Sequence, residues 1–186
     1  MPQSLQGQLL LDGGKLTGAE FHRAVVLICQ HDSEGAFGLV LNRASEHTVE
    51  DSIVATLPPM VLDLPLFLGG PVQPQGVNFL LQESVDATPT DSHILPGLRL
   101  VHDLDELVEP KGGFAALRQI KFFAGYAGWS PGQLDNEMKM KAWLTHPATM
   151  DLVFHPAPSE LWRMILKTKG SEYQLLAEMP DNLSHN

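Results

Sequence analysis

The sequence has almost no cysteine, no cluster of basic residues and no long apolar run, and each absence removes a class of protein. Cys29 is the single cysteine, so an internal disulfide and a thiolate metal cluster are both excluded. Its setting, Val25-Val-Leu-Ile-Cys29, has the composition of a buried strand and reads as core rather than as a reactive thiol. Lys and Arg number 12 against 22 Asp and Glu, a net charge of −10. Affinity for nucleic acid comes mainly from grouped cations, so this acidity argues against direct binding to DNA or RNA. No apolar stretch approaches the ~20 residues that span a bilayer. The N-terminus also lacks a basic segment followed by a long apolar one. A cytoplasmic protein without membrane association is expected. The 8 histidines show no pair spacing typical of metal ligands. A phosphate-binding P-loop, a dinucleotide-binding glycine fingerprint and a hydrolase nucleophile elbow are all missing. No cofactor and no metal are expected.

What is present is an ordinary globular composition, 44% apolar and 18% charged over 186 residues, enough for one core. Strands are expected at 5–11, 24–30, 36–42, 64–68, 77–82, 97–101, 119–126 and 150–154. The second and third are near-continuous apolar runs joined by His31–Gly35, which predicts a hairpin covered on both faces. Helices are expected from Thr48, with Asp51 in a capping-box position, to about Leu57, and after Asp103. Two more should run from about Pro131 to Leu144 and from about Pro158 to Lys169, the latter closed by Gly170. A turn or helix near Thr17–Phe21 and a helical turn at 114–118 complete the reading. Hairpins mixed with strand–helix connections predict an α+β fold, a mixed sheet with helices packed on it. Residues 1–186 read as one domain whose last ~16 residues are peripheral.

The densest run of special-purpose residues is Gly125-Tyr-Ala-Gly-Trp-Ser-Pro-Gly-Gln-Leu-Asp-Asn-Glu-Met138. Ser130, Pro131 and Gln133 match a capping box, and Trp129 with Leu134 matches a hydrophobic staple. Asp135/Lys139 and Glu137/Lys141 are spaced for ion pairs on a solvated helix face. Gly125, Tyr126 and Gly128 read as a strand-to-helix turn, either purely structural or in contact with a ligand. Gly69-Gly70-Pro71 is either a plain turn or a backbone nest for an anion. His31-Asp32 and Asn42-Arg43 should fall at opposite ends of the hairpin.

Together these segments resemble the bacterial YqgE/AlgH family. The resemblance rests on Phe21–Asp32, Gly35–Arg43, Phe67-Leu-Gly-Gly-Pro-Val72, the run from Gly125 to Glu137, Trp143 and Glu160-Leu-Trp162, and covers about residues 5–170. Ala44 stands where the family usually has proline, and Gln82 where it often has histidine. The resemblance implies an α+β fold with a mixed sheet and, through its alginate-linked branch, an association with transcriptional regulation; the net charge makes any such role here indirect. The leading functional reading is a binding module for a small ligand or a protein. Its surface would join Asn42, Arg43, Gly69, Gly70, Pro71, Gly125, Tyr126 and Gly128, with Arg43 on an anionic group. The alternative is an enzyme acting on a phosphate- or nucleotide-containing metabolite, with His31 or Glu137 as base.

Overall fold

The structure, a computed structural model, describes residues 3–14, 20–53, 57–86, 88, 90–108 and 119–179, with 107–108 as backbone only. The expectations at 114–118 and over most of Thr17–Phe21 lie outside these residues. Ten strands form the sheet: β1 Gln8–Asp12, β2 Val25–Asp32, β3 Gly35–Val40, β4 Ala44–Thr48, β5 Pro65–Leu68, β6 Val72–Gln82, β7 His93–Leu95, β8 Leu98–Val101, β9 Gln119–Trp129 and β10 Trp143–Pro147. Their order is β10-β1-β2-β3-β9-β6-β8-β7, with β4 paired to β5 and β5 to β9. The β5–β9 pair is parallel and the others are antiparallel. The sheet is therefore mixed, as expected.

Helices α1 Val49–Ser52, α2 Pro59–Leu62, α3 Asp105–Val108, α4 Gln133–Lys139, α5 Met150–Val153, α6 Leu161–Leu166 and α7 Ser171–Glu178 surround it. None of the described helices is long and apolar enough to cross a membrane. The apolar runs bury both sheet faces by strand alternation. Leu9, Leu11, Val25, Leu27 and Cys29 face α6 and Trp162, whereas Leu10, Val26 and Ile28 face Trp129, Leu134 and Trp143. Burial also pushes the Cys29 thiol pKa up, which makes it inert core.

Long β9 joins the two halves of the sheet. Phe79–Gln82 and Gln119–Phe122 pair at one end, and Ala36–Gly38 meet Ala127–Trp129 at the other. The Gly125–Gly128 segment is thus strand, correcting the expected turn. Gly125 is needed there because the backbone of Gly70 and Val72 comes too close for a side chain.

Other local expectations are revised as well. The β2–β3 loop is only Ser33-Glu34, since Asp32 pairs directly with Gly35. Thr48 and Asp51 do form a reciprocal capping box, but α1 closes at Ile53. The N-cap of helix α4 is Gly132, φ +71°, and not Ser130. Gln133 Oε1 still accepts from the Ser130 N–H at 3.1 Å, so half of the expected box is present. The helix stops at Lys139, and Lys141 with φ +55° turns the chain into β10. Residues 150–153 are helical because Thr149 caps them, its side chain accepting from the Leu152 N–H. Helix α7 lies against α6 with Ala177 buried in the core.

The charged face expected on α4 takes different partners. Glu137 Oε2 accepts from Trp129 Nε1 at 2.9 Å and Trp143 Nε1 at 2.7 Å, while Oε1 accepts from Gln133 Nε2 at 3.0 Å. Asp135 faces His31 Nε2 at 3.6 Å. Lys139 donates to Asn136. Anchoring β9 and β10 wins over ion pairing because two partly buried indole N–H groups require an acceptor.

Candidate functional site

The eight residues of the expected ligand surface occupy three settings. Gly69, Gly70 and Gly125 pack backbone against backbone. A methyl at Gly70 would lie 2.3 Å from the Tyr126 carbonyl carbon, and one at Gly125 would lie 2.5 Å from Gly70 O. Both have positive φ, +153° and +67°. Buried Asn78 donates from Nδ2 to Gly125 O at 3.1 Å, and its Oδ1 accepts from His102 Nδ1 at 2.6 Å. Pro71 is exposed beside them.

Tyr126 stacks on Phe37 with ring centroids 4.5 Å apart. With Gly128 it lines a cavity of about 530 Å³ that also carries Asp32 and Glu34. Carboxylates at this opening disfavour an anion there.

Asn42 and Arg43 line a different cavity, of about 350 Å³, together with His22, Arg23, Ser159, Glu160, Trp162 and Arg163. Three separated stretches of chain bring three arginines to this one place in an acidic protein. The backbone is built around Arg23, a non-glycine residue with φ +54°. Such a conformation costs about 1–3 kcal/mol and persists only where neighbours enforce it. Buried Asp12 accepts the Arg23 N–H at 2.9 Å and the Gly14 N–H at 2.8 Å. Asn42 Nδ2 donates to Arg23 O at 2.8 Å, and Asn42 Oδ1 accepts from Val25 N at 2.9 Å. Asn42 is therefore a clamp on the Arg23–Val25 backbone, with both ends of its amide engaged.

The guanidinium of Arg23 lies 4.9 Å from the centroid of the Trp162 ring, and its Nη2 donates to Met179 O at 2.7 Å. Trp162 in turn donates from Nε1 to Asp12 O at 2.8 Å. Arg43 Nη2 donates to His22 O at 3.2 Å. Desolvation lowers the pKa of Arg43, and desolvation followed by repulsion from Arg163 lowers that of Arg23. The Arg23 shift thus reflects burial and a neighbouring cation, whereas that of Arg43 reflects burial alone, against which Glu20 acts. An oxyanion entering the cavity would offset the repulsion between Arg23 and Arg163, because guanidinium groups match its geometry. Opposing this, Glu160 lines the same cavity.

Of the residues that build this site, sequence reasoning found Asn42 and Arg43 and missed Asp12, Arg23 and Arg163. Asp12 had a usable signal: an acidic residue ending an apolar strand just before Gly13-Gly14. Arg163 had none, since an arginine on a short helix is ordinary. The two bases proposed from sequence lie elsewhere. His31 accepts the Leu5 N–H at Nδ1 and faces Asp135, while Glu137 is held by the indoles.

The Asn42 clamp gives a direct test. Asn42→Asp keeps an acceptor for Val25 N–H but sets a carboxylate oxygen against Arg23 O, where a donor stood. A loss of about 1–3 kcal/mol in urea-unfolding free energy is expected; an unchanged value would contradict the clamp.

Comparison with known proteins agrees with this architecture. A family profile described as AlgH-like matches residues 9–174. A UPF0301 protein of Chlorobium luteolum is 37% identical over 176 residues, covering 94% of this chain and 91% of that protein. One from Chlamydia pneumoniae is 32% identical over 182 residues, covering 97% and 95%. A crystal structure of a Corynebacterium diphtheriae protein superposes with TM-score 0.75 at 25% identity, covering 95% of this chain and 93% of that one. The solution structure of AlgH from Pseudomonas aeruginosa gives 0.70 at 26% identity, covering 97% and 96%. With the profile spanning most of its length and the same α+β fold in these solved structures, the chain belongs to the AlgH-like family.

Proposed function

We propose that this protein is a binding module for a small, multiply charged anion, such as a phosphate-bearing metabolite, seated among Arg23, Arg43 and Arg163. The observation that carries this reading is that those three arginines line one cavity in a chain of net charge −10. Arg43 and Arg163 would contact the anion, with Asn42 and Asp12 holding the Arg23 backbone in place. An influence on transcription would then pass through the ligand or a protein partner, since a net charge of −10 disfavours direct binding to DNA. The enzymatic alternative needs a general base within hydrogen-bond reach of the ligand. Neither His31 nor Glu137 lines this cavity, and the base there would have to be His22 or Glu160.

The test is thermal and urea stability at low salt with inorganic phosphate, pyrophosphate and nucleotides. A ligand at ~100 times its Kd adds ~2.7 kcal/mol to the native state. Pyrophosphate is expected to stabilise the protein more than phosphate. Arg43→Ala and Arg163→Ala should each weaken binding by about tenfold or more, as loss of a charged hydrogen bond implies. Absence of stabilisation by any of these anions, or equal stabilisation of the double variant, would overturn the reading.

A further inference from the structure

A separate cavity of about 520 Å³ has Ala44, the residue after Arg43, in its wall. Its wall is mainly apolar and includes Met60, Leu64, Phe67, Ile120 and Phe154. One charged side chain interrupts it. Lys121, in the middle of β9, is 6% exposed, and its Nζ donates to Leu41 O at 2.9 Å and Val153 O at 3.3 Å. The same nitrogen sits 4.0 Å from the centroid of the Phe67 ring.

Carbonyl dipoles and a ring face are weak compensation for a buried cation. Among the described residues, no carboxylate lies within ion-pairing distance of Lys121. Burial accordingly pulls its pKa from the ordinary 10.5 down to about 8. A structural role, tying Leu41 and Val153 together, accounts for the two hydrogen bonds. It does not account for the choice of a cation, or for a neighbouring cavity of a size usual for small molecules. The complement of such a site is one negative charge on an apolar body. A multiply charged anion would leave charges unpaired against the apolar wall.

We propose that this cavity binds an amphipathic monocarboxylate, an acyl or aryl acid whose head group pairs with the Lys121 ammonium while its apolar part lies along Phe67, Ile120 and Phe154. The site is independent of the arginine cavity and selects the opposite kind of anion. Its affinity should depend on pH through Lys121. Below about pH 8 the amine is charged in the free protein and the carboxylate binds fully. As pH rises past that value the free protein loses the proton and affinity falls. His155 is the other titratable side chain among the described lining residues; α2, β4 and β5 contribute none.

The experiment is calorimetric titration of the intact protein with decanoate and decanol, both below their aggregation limits, at neutral and alkaline pH. Decanoate should bind about tenfold more tightly than decanol at neutral pH, and the gap should close at alkaline pH. In Lys121→Met the preference for decanoate should vanish, while pyrophosphate binding at the arginine cavity is unchanged. Met60→Trp, at an exposed rim position that leaves the core intact, should weaken both ligands by filling the opening. Equal binding of decanoate and decanol to the wild type, binding of neither, or wild-type affinity in Met60→Trp would each overturn the proposal.

Discussion

Gly70→Ala is expected to lower the unfolding free energy by about 3 kcal/mol or more, at an unchanged urea m-value. The new methyl would meet backbone, not a yielding side chain: the Tyr126 carbonyl carbon at 2.3 Å and Ala127 N at 2.4 Å. Backbone in a sheet cannot retreat without breaking its ladder. Here Gly69 N donates to Ala124 O at 2.8 Å and Val40 N donates to Gly69 O at 2.9 Å. Overpacking typically costs about 1–3 kcal/mol, and a side chain at φ +153° adds strain. Gly125→Ala should behave alike, since its methyl would strike Gly70 O at 2.5 Å. The two positions share one contact, so the double variant should lose less than the sum. A loss within ~0.5 kcal/mol at Gly70, the range of a neutral surface change, would show that the strands are not packed this closely.

Glu137→Ala is the second large effect. The carboxylate accepts the N–H groups of Trp129 and Trp143 at one oxygen and of Gln133 at the other. Hydrogen bonds to a charged acceptor contribute about 1.5–3 kcal/mol each. Truncation also leaves two indole N–H groups without an acceptor beside the Leu10–Val26–Ile28 core. A loss of about 3 kcal/mol or more is expected in urea unfolding, with a change in tryptophan emission in the native baseline. Glu137→Gln retains one acceptor oxygen and should lose roughly half as much. A solvated ion pair with Lys141 would instead contribute below ~0.5 kcal/mol, so this variant separates the two accounts of the helix face.

Those two residues also show how much was legible in advance. Continuous apolar runs bounded by turn residues located most strands, because Leu9–Leu11 and Val25–Cys29 are buried on both faces of the sheet. The capping box at Thr48 was legible because its partner lies three residues away. Glu137 was misread because i,i+4 spacing is a local signal, and the competing partners, Trp129 and Trp143, are brought together only by pairing of distant strands. The Gly125–Gly128 segment was misread as a turn for the same reason: its glycines answer to Gly70 and Val72 on neighbouring chain segments, not to their own backbone direction. Strand β10 was missed, its first two residues falling at the end of an expected helix, since Trp143–Pro147 gains its identity from β1 across the sheet. Of the candidate site, Asn42 and Arg43 were visible as a polar pair closing an apolar strand. Lys121 also left a trace, as a charged residue inside the otherwise apolar Ile120–Ala124, but its significance depends on a cavity that no sequence pattern encodes.

The arginine cavity is the centre of this account, and location is the property that tests it most sharply. Titrating the protein with pyrophosphate at low salt while following backbone amide resonances would read that location directly. Shifts confined to residues 20–25, 42–43 and 159–163 are the expected result, and they should be abolished by Arg43→Ala combined with Arg163→Ala. Shifts centred instead on Gly69–Pro71 and Gly125–Gly128, or no shifts at concentrations that saturate ordinary phosphate sites, would contradict it.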